Sequence, residues 1–240
     1  MEYPEIRKRI YDNSDIVLLP TMKPFEIKEK YGIPCFSKWQ DDMIHRYQNG
    51  SRRPYLIERI TGIKENGEEI VGRFKLNKKA KEMLLENKLH KISPKCCSKF
   101  KKEPAKNFGK KTGLKPIMGV KGSESGLRKK QYTSCFTKDK KFTPLWDLTE
   151  ELENKIYEKY KIEVPEIYKY IERTGCMGCP YGNYKGDTEK ELQLLDKSQR
   201  EFVEEYFKES YKVLGIGEIR LDEIRDLQRR LFGAIKEYSR

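Results

Sequence analysis

The chain has 240 residues, with 51 Lys and Arg against 38 Asp and Glu, a net charge of +13, and 36% hydrophobic against 37% charged residues. That lean apolar fraction suffices for one domain of ordinary size with an appendage rather than two full domains, and no apolar run approaches the roughly 20 residues of a membrane-crossing helix. The N-terminal segment MEYPEIRKRI lacks the apolar core of a signal peptide, so the sequence predicts a cytoplasmic protein with no membrane partner.

Pro4 to Tyr11 is predicted helical, and Asp15 to Leu19 (DIVLL), a bounded apolar run, is predicted as a strand. Helices are expected over Pro24 to Tyr31, Phe36 to Tyr47 and Arg52 to Ile60, then a turn or hairpin at Glu65-Asn66-Gly67 and a further helix over Lys78 to Glu86. Ser93-Pro94 reads as an N-cap followed by proline at the first helical position, which places Cys96 and Cys97 in an opening turn. Helical amides there would lower the thiol pKa values. Pro116 to Val120 (PIMGV) is expected as a short buried strand running into the polar loop Lys121 to Gly126. Thr149 to Tyr160 and Pro165 to Glu172 are expected as helices, the second delivering the chain to Cys176. After Gly182 a polar link precedes two amphipathic stretches, Glu189 to Leu214 and Leu221 to Tyr238. Alternation of strands and helices predicts an α/β domain over residues 1–182 and a helical extension over 183–240.

The positive charge is local. Between Asn77 and Lys141 stand 20 Lys and Arg against 5 Asp and Glu, an excess of 15, while the remainder carries 31 basic and 33 acidic residues. An anionic partner is implied, with a solvated lysine-rich face as the plain alternative.

Six cysteines, Cys35, Cys96, Cys97, Cys135, Cys176 and Cys179, in a chain without an export signal read as metal or redox groups rather than a disulfide framework. Cys96-Cys97 and Cys176-Met177-Gly178-Cys179 make a CC…CxxC set. Four such thiols bind zinc or an iron–sulfur cluster. Adjacent cysteines are strained when both must reach one small tetrahedral ion, whereas a cubane presents separate corners, so [4Fe–4S] is favoured, with zinc as the alternative and four merely structural thiols as a third reading. Cys35 and Cys135 have no partner spacing and read as structural.

The segments around these cysteines resemble the phosphoadenosine phosphosulfate (PAPS) reductase family of the adenine nucleotide alpha hydrolase-like superfamily. Cys96 to Pro104 (CCSKFKKEP) is similar to its CC-x3-K-x-E-P segment, Gly119 to Arg128 (GVKGSESGLR) to its G-x4-E-S-x2-R loop, Phe142 to Thr149 (FTPLWDLT) to its Pro-Leu…Trp stretch, and Arg173 to Pro180 (RTGCMGCP) to its RTGC-x2-C-P ending. Glu2 to Glu5 (EYPE) and Ile33 to Lys38 (IPCFSK) resemble two upstream elements. The resemblance covers about residues 1–182. It implies a Rossmann-like parallel sheet, a [4Fe–4S] cluster on Cys96, Cys97, Cys176 and Cys179, and Lys101 between cluster and anionic substrate. It also implies Ser123, Glu124, Ser125 and Arg128 on a phosphate or sulfate, with Lys38 and Arg173 as further anion ligands.

Two elements of the family pattern are missing. The chain starts at EYPE, just after the position of the family's first strand and its Ser-Gly-Gly-x-Asp-Ser phosphate loop, and nothing from Pro180 to Arg240 is Cys or His, where the reductases carry a nucleophilic Cys-Gly-x-His. Unaided PAPS or adenylylsulfate reduction is therefore not expected, and no catalytic residue is assigned. The expectation is an oxidoreductase or sulfur-transfer enzyme acting on an adenylylated or sulfated nucleotide. The alternatives are a thiolation component acting on nucleic acid, and a non-catalytic cluster-bearing subunit whose partner chain supplies the SGGxDS loop.

Overall fold

The computed structural model of the protein describes residues 1–72, 74–171, 175–185 and 187–217. Helices α1 (Pro4–Asp12), α2 (Pro24–Tyr31) and α4 (Pro54–Thr61) open on proline, whose missing N–H has no acceptor to lose at a helix start. Between the last two, α3 (Lys38–Gln48) is capped by Ser37, whose Oγ accepts the Gln40 N–H at 3.3 Å, and α5 (Lys78–Leu85) follows Asn77, whose side-chain oxygen accepts the Ala80 N–H at 2.8 Å. The short α6 (Lys95–Cys97) passes through a π-helical turn, Ser98–Lys102, into α7 (Glu103–Thr112). Pro104 accounts for the widened turn, since it has no N–H for the Phe100 carbonyl and its ring crowds that group. Then come α8 (Gly126–Gln131), capped by Ser125, α9 (Glu150–Tyr160), capped by Thr149, α10 (Asp187–Leu194), and α11 (Lys197–Leu214), capped by Asp196.

No sheet exists among the described residues, which overturns the expected parallel-sheet α/β fold. β pairing is confined to the isolated bridges Ile33–Ile92, Ile63–Glu69, Ile117–Phe142 and Phe136–Phe142. Asp15 to Leu19 is irregular with Ile16, Leu18 and Leu19 exposed, and of PIMGV only Ile117 pairs, its side chain 71% exposed. A branched apolar run becomes a strand only when a neighbour supplies the ladder and a face to bury, and neither run has one. Two helix expectations are also corrected. Of Pro165 to Glu172 the described residues, 165–171, hold only the 3-10 turn Glu166–Lys169, and Glu189 to Leu214 is broken where Asp196 caps α11. Leu221 to Tyr238 lies outside the described residues.

The chain forms two compact units, Met1–Pro4 with Met22–Lys99 and Arg173–Arg240, and Glu5–Thr21 with Phe100–Glu172. In the first, Cys35, Met43, Ile44, Leu56, Ile60, Leu76, Ala80, Leu84, Ile92 and Val213 form one buried cluster of the core, and Ile27, Val203, Tyr206 and Phe207 are buried as well. Helix α2 packs on α6, and α11 on α2 and on the 3-10 turn Pro180–Lys185. The second unit buries little. Its ties are polar: the Glu5 carboxylate accepts the Glu166 N–H at 2.8 Å, the Arg9 guanidinium donates to the Glu163 carbonyl at 2.7 Å, and buried Thr143 donates to the Ser134 carbonyl at 2.9 Å.

In the first unit Ser210 fastens α11 to the Ile33–Ile92 pair. Its hydroxyl donates to the Pro34 carbonyl at 2.7 Å and so accepts from His90 Nε2 at 2.9 Å, which fixes the Nε2–H tautomer. Burial, assisted by the Lys28 charge and opposed by Glu209, lowers the His90 pKa to about 4. Above pH 6.5 the ring is neutral in both states. Between about 6.5 and 4 the unfolded chain binds a proton that the folded chain refuses, so this contribution to stability is lost as pH falls through 4. His90→Gln keeps an N–H donor without titrating. Urea unfolding of both proteins at pH 7 and pH 4 is expected to show wild type losing on the order of 3 kcal/mol more than the variant; equal losses would refute the assignment.

Candidate metal centre

The Cys176–Cys179 segment is a tight turn in which the Cys179 N–H donates to the Cys176 carbonyl at 3.1 Å and the Gly182 N–H to the Cys179 carbonyl at 3.0 Å. Its position is set from outside. The Met177 N–H donates to the Met1 carbonyl at 2.9 Å, the Gly178 N–H to the Glu191 carboxylate at 3.1 Å, the Thr188 hydroxyl to the Cys179 carbonyl at 3.1 Å, and the Tyr211 hydroxyl to the Gly178 carbonyl. Helices α10 and α11, together with Met1, thus hold the turn. Glu191 and Tyr211 are buried, so these bonds act at low dielectric, where losing one partner is costly.

A second tie joins this turn to Ile33–Lys38. Fully buried Asp41 accepts the Cys35 N–H at 2.7 Å, the Phe36 N–H at 3.0 Å and the Tyr181 hydroxyl at 2.8 Å. Burial raises its pKa to about 6 against the opposing pull of these donors. Lys38, an expected anion ligand, is exposed at the first position of α3, and the IPCFSK segment here shapes a turn around Asp41.

None of the six cysteines forms a disulfide. Cys35 is buried in the first unit's core, and Cys135 is exposed with its sulfur accepting the Trp146 indole N–H at 3.3 Å. The other four influence one another electrostatically. Cys96, buried, hydrogen-bonds Cys97, and that bond, burial and the charges of Cys97, Cys179 and Cys176 push its pKa up. Cys179 is pushed up as well, by burial first and then by Cys176, Cys97 and Glu191. The expectation that a helix start would lower the Cys96 pKa is not met, because the bond to Cys97, burial and the neighbouring thiols raise it. Among the described residues no group of three or more His, Cys, Asp or Glu side chains is set to hold a metal ion. The thiols lie within electrostatic reach of one another without forming a closed ligand shell. As a donor set, four thiols from two distant pairs fit a thiophilic centre.

The expected anion loop belongs to the second unit and is engaged with itself. The Ser123 hydroxyl donates to the Leu148 carbonyl at 3.1 Å, the Glu124 carboxylate accepts the Lys121 N–H at 3.2 Å and pairs with Arg128, and Ser125 Oγ accepts the Arg128 N–H at 3.2 Å as the cap of α8. Lys101 is exposed in the π-helical turn and also belongs to the second unit, while Arg173 lies outside the described residues. Sequence reasoning missed Asp41, Glu191 and Tyr211. Of these only Asp41 leaves a local trace, as an acidic residue in the first turn of a Ser-capped helix.

No protein-family model, curated protein or solved structure matches the chain.

Proposed function

We propose that this chain is an iron–sulfur protein in which Cys96, Cys97, Cys176 and Cys179 hold a [4Fe–4S] cluster, and that it serves sulfur metabolism or sulfur transfer. The observation that carries the reading is the convergence of two cysteine pairs, far apart in sequence, into mutual electrostatic reach. The resemblance of their flanking segments to PAPS reductases supplies the chemical direction. A cluster bound there supplies a one-electron couple or an electron-poor centre. The chain's own part is to hold the CxxC turn by α10 and α11 and to carry Cys96 and Cys97 on α6 against α2.

The substrate class that goes with this reading is an adenylylated or sulfated nucleotide. On the Gly119–Arg128 loop such an anion must take Arg128 from Glu124. A nucleic acid undergoing thiolation is the second reading, favoured by the excess of 15 positive charges between Asn77 and Lys141; its signature is an affinity that falls steeply with salt.

Protein purified without oxygen is expected to be brown, with about four iron and four sulfide per chain. Cys97→Ser and Cys176→Ser are expected to lose both colour and sulfide, and Cys135→Ser to keep them. Stoichiometric zinc without labile sulfide in the wild-type protein would overturn the cluster.

A further inference from the structure

The buried face of α11 carries a phenol that this helix has no local use for. Tyr206 is fully buried, and its hydroxyl has no hydrogen-bond partner. Buried tyrosines ordinarily place the O–H on an acceptor, and an unmet buried hydroxyl costs on the order of 1–3 kcal/mol. The ring cannot swing away to find one. It lies parallel to Phe202 at 6.2 Å and edge-on to Phe25 at 5.6 Å and to Phe207 at 4.7 Å. The hydroxyl is therefore held at a fixed place.

That place borders the turn that carries Cys176 and Cys179. Val203, one turn earlier on the same face, sits where a Cβ on Gly178 would be 3.1 Å away, and Tyr211, five residues later, bonds the Gly178 carbonyl. Helix α2, which packs on α11, also packs on α6 with its two cysteines. Cys96, Cys176, Cys179 and Cys97 all lie within electrostatic reach of the Tyr206 hydroxyl. The other buried tyrosine hydroxyl without a well-aligned partner among the described residues, Tyr3, has the Glu191 carboxylate beside it as an acceptor.

Resting on the cluster reading above, we infer that Tyr206 is a positioning residue whose Oη–H donates to a thiolate or sulfide sulfur of the centre and raises its reduction potential. A donor to sulfur favours the reduced form because that form carries more negative charge on the sulfurs. The acceptor that the metal-free chain lacks is then the centre itself.

The test compares wild type, Tyr206→Phe and Tyr3→Phe as cluster-loaded full-length chains. Phe keeps the ring packing and removes only the donor. Tyr206→Phe is expected to retain iron and sulfide, to shift the potential in an anaerobic redox titration to a more negative value, and to lose an exchangeable proton coupled to the reduced centre that wild type shows in water but not in D2O. Tyr3→Phe is expected to match wild type in both readouts. In the metal-free chains Tyr206→Phe should unfold at equal or higher urea concentration than wild type, because it deletes an unmet polar group. Wild type without iron and sulfide would overturn the cluster reading and this inference with it. A loaded wild type lacking the coupled proton, an unchanged potential in Tyr206→Phe, or an equal shift in Tyr3→Phe would overturn the role of Tyr206 alone.

Discussion

Replacing Gly32 by alanine is expected to destabilise the first unit more than any other single methyl group added to it. Gly32 ends α2 with φ +90° and ψ −177°, a backbone region that side chains other than hydrogen avoid, and its N–H closes the helix on the Lys28 carbonyl at 2.8 Å. A Cβ at this position would stand 2.1 Å from the Lys91 carbonyl oxygen and 2.6 Å from its carbon. Both are main-chain atoms, so no side-chain rotation relieves the overlap. The Lys91 carbonyl is also the acceptor for the Ile33 N–H at 3.1 Å, and the Ser93 N–H returns to Ile33 at 3.0 Å, so moving it breaks the Ile33–Ile92 bridge behind which Cys35 and α6 are placed. Backbone strain and the lost pairing together amount to on the order of 4 kcal/mol, a large share of the 5–15 kcal/mol of a typical domain. Gly50 provides the control. It has φ +85° with open space where its Cβ would go, so Gly50→Ala should cost about 1 kcal/mol, the conformational part alone. Urea unfolding of the two variants measures the difference; equal values would show that the Lys91 carbonyl does not crowd position 32.

What was legible in the sequence followed from punctuation. Helix α2 falls at both ends where Pro24 and Gly32 place it, and α9 starts where Thr149 caps it, because cap and proline chemistry acts within a few residues. The strands failed for the opposite reason. DIVLL and PIMGV have the composition of strands, but a strand is completed by a partner elsewhere, and composition does not report whether one exists. The candidate site divides the same way. Cys96, Cys97, Cys176 and Cys179 stand out in the sequence by residue type and spacing, whereas the atoms that hold the Cys176–Cys179 turn, the Glu191 carboxylate, the Tyr211 hydroxyl and the Met1 carbonyl, are set by the tertiary packing of α10, α11 and the N-terminus. Arg128 shows the converse. The family resemblance implies an anion loop there, yet its spacing after Glu124 and Ser125 on a helix start produces an i,i+4 ion pair and a serine cap, and these are the contacts it makes.

The dependence of the cysteine turn on distant side chains can be tested by Gly178→Ala, which should both destabilise the first unit and deplete the proposed cluster. Gly178 has φ +61°, a left-handed conformation that alanine adopts at a cost of about 1–2 kcal/mol. The added Cβ would lie 2.5 Å from the Tyr211 hydroxyl and 3.1 Å from Val203 Cγ2. Tyr211 is buried and its hydroxyl is bound to the carbonyl of this same glycine, so it cannot retreat without leaving that carbonyl unmet. Strain and the broken bond sum to about 3 kcal/mol. The turn is expected to shift until Cys176 and Cys179 no longer face Cys96 and Cys97, and iron per chain should fall well below the wild-type value. Tyr211→Phe separates the two causes. By itself it removes one hydrogen bond, about 1 kcal/mol, but combined with Gly178→Ala it also deletes the atom that the new methyl group meets. The double variant should therefore be more stable than the two single effects predict, by about 1 kcal/mol or more, and should regain part of the iron. Strict additivity in urea unfolding, with iron content no better than in Gly178→Ala alone, would mean that the grip of α11 on the turn does not determine where these two cysteines stand.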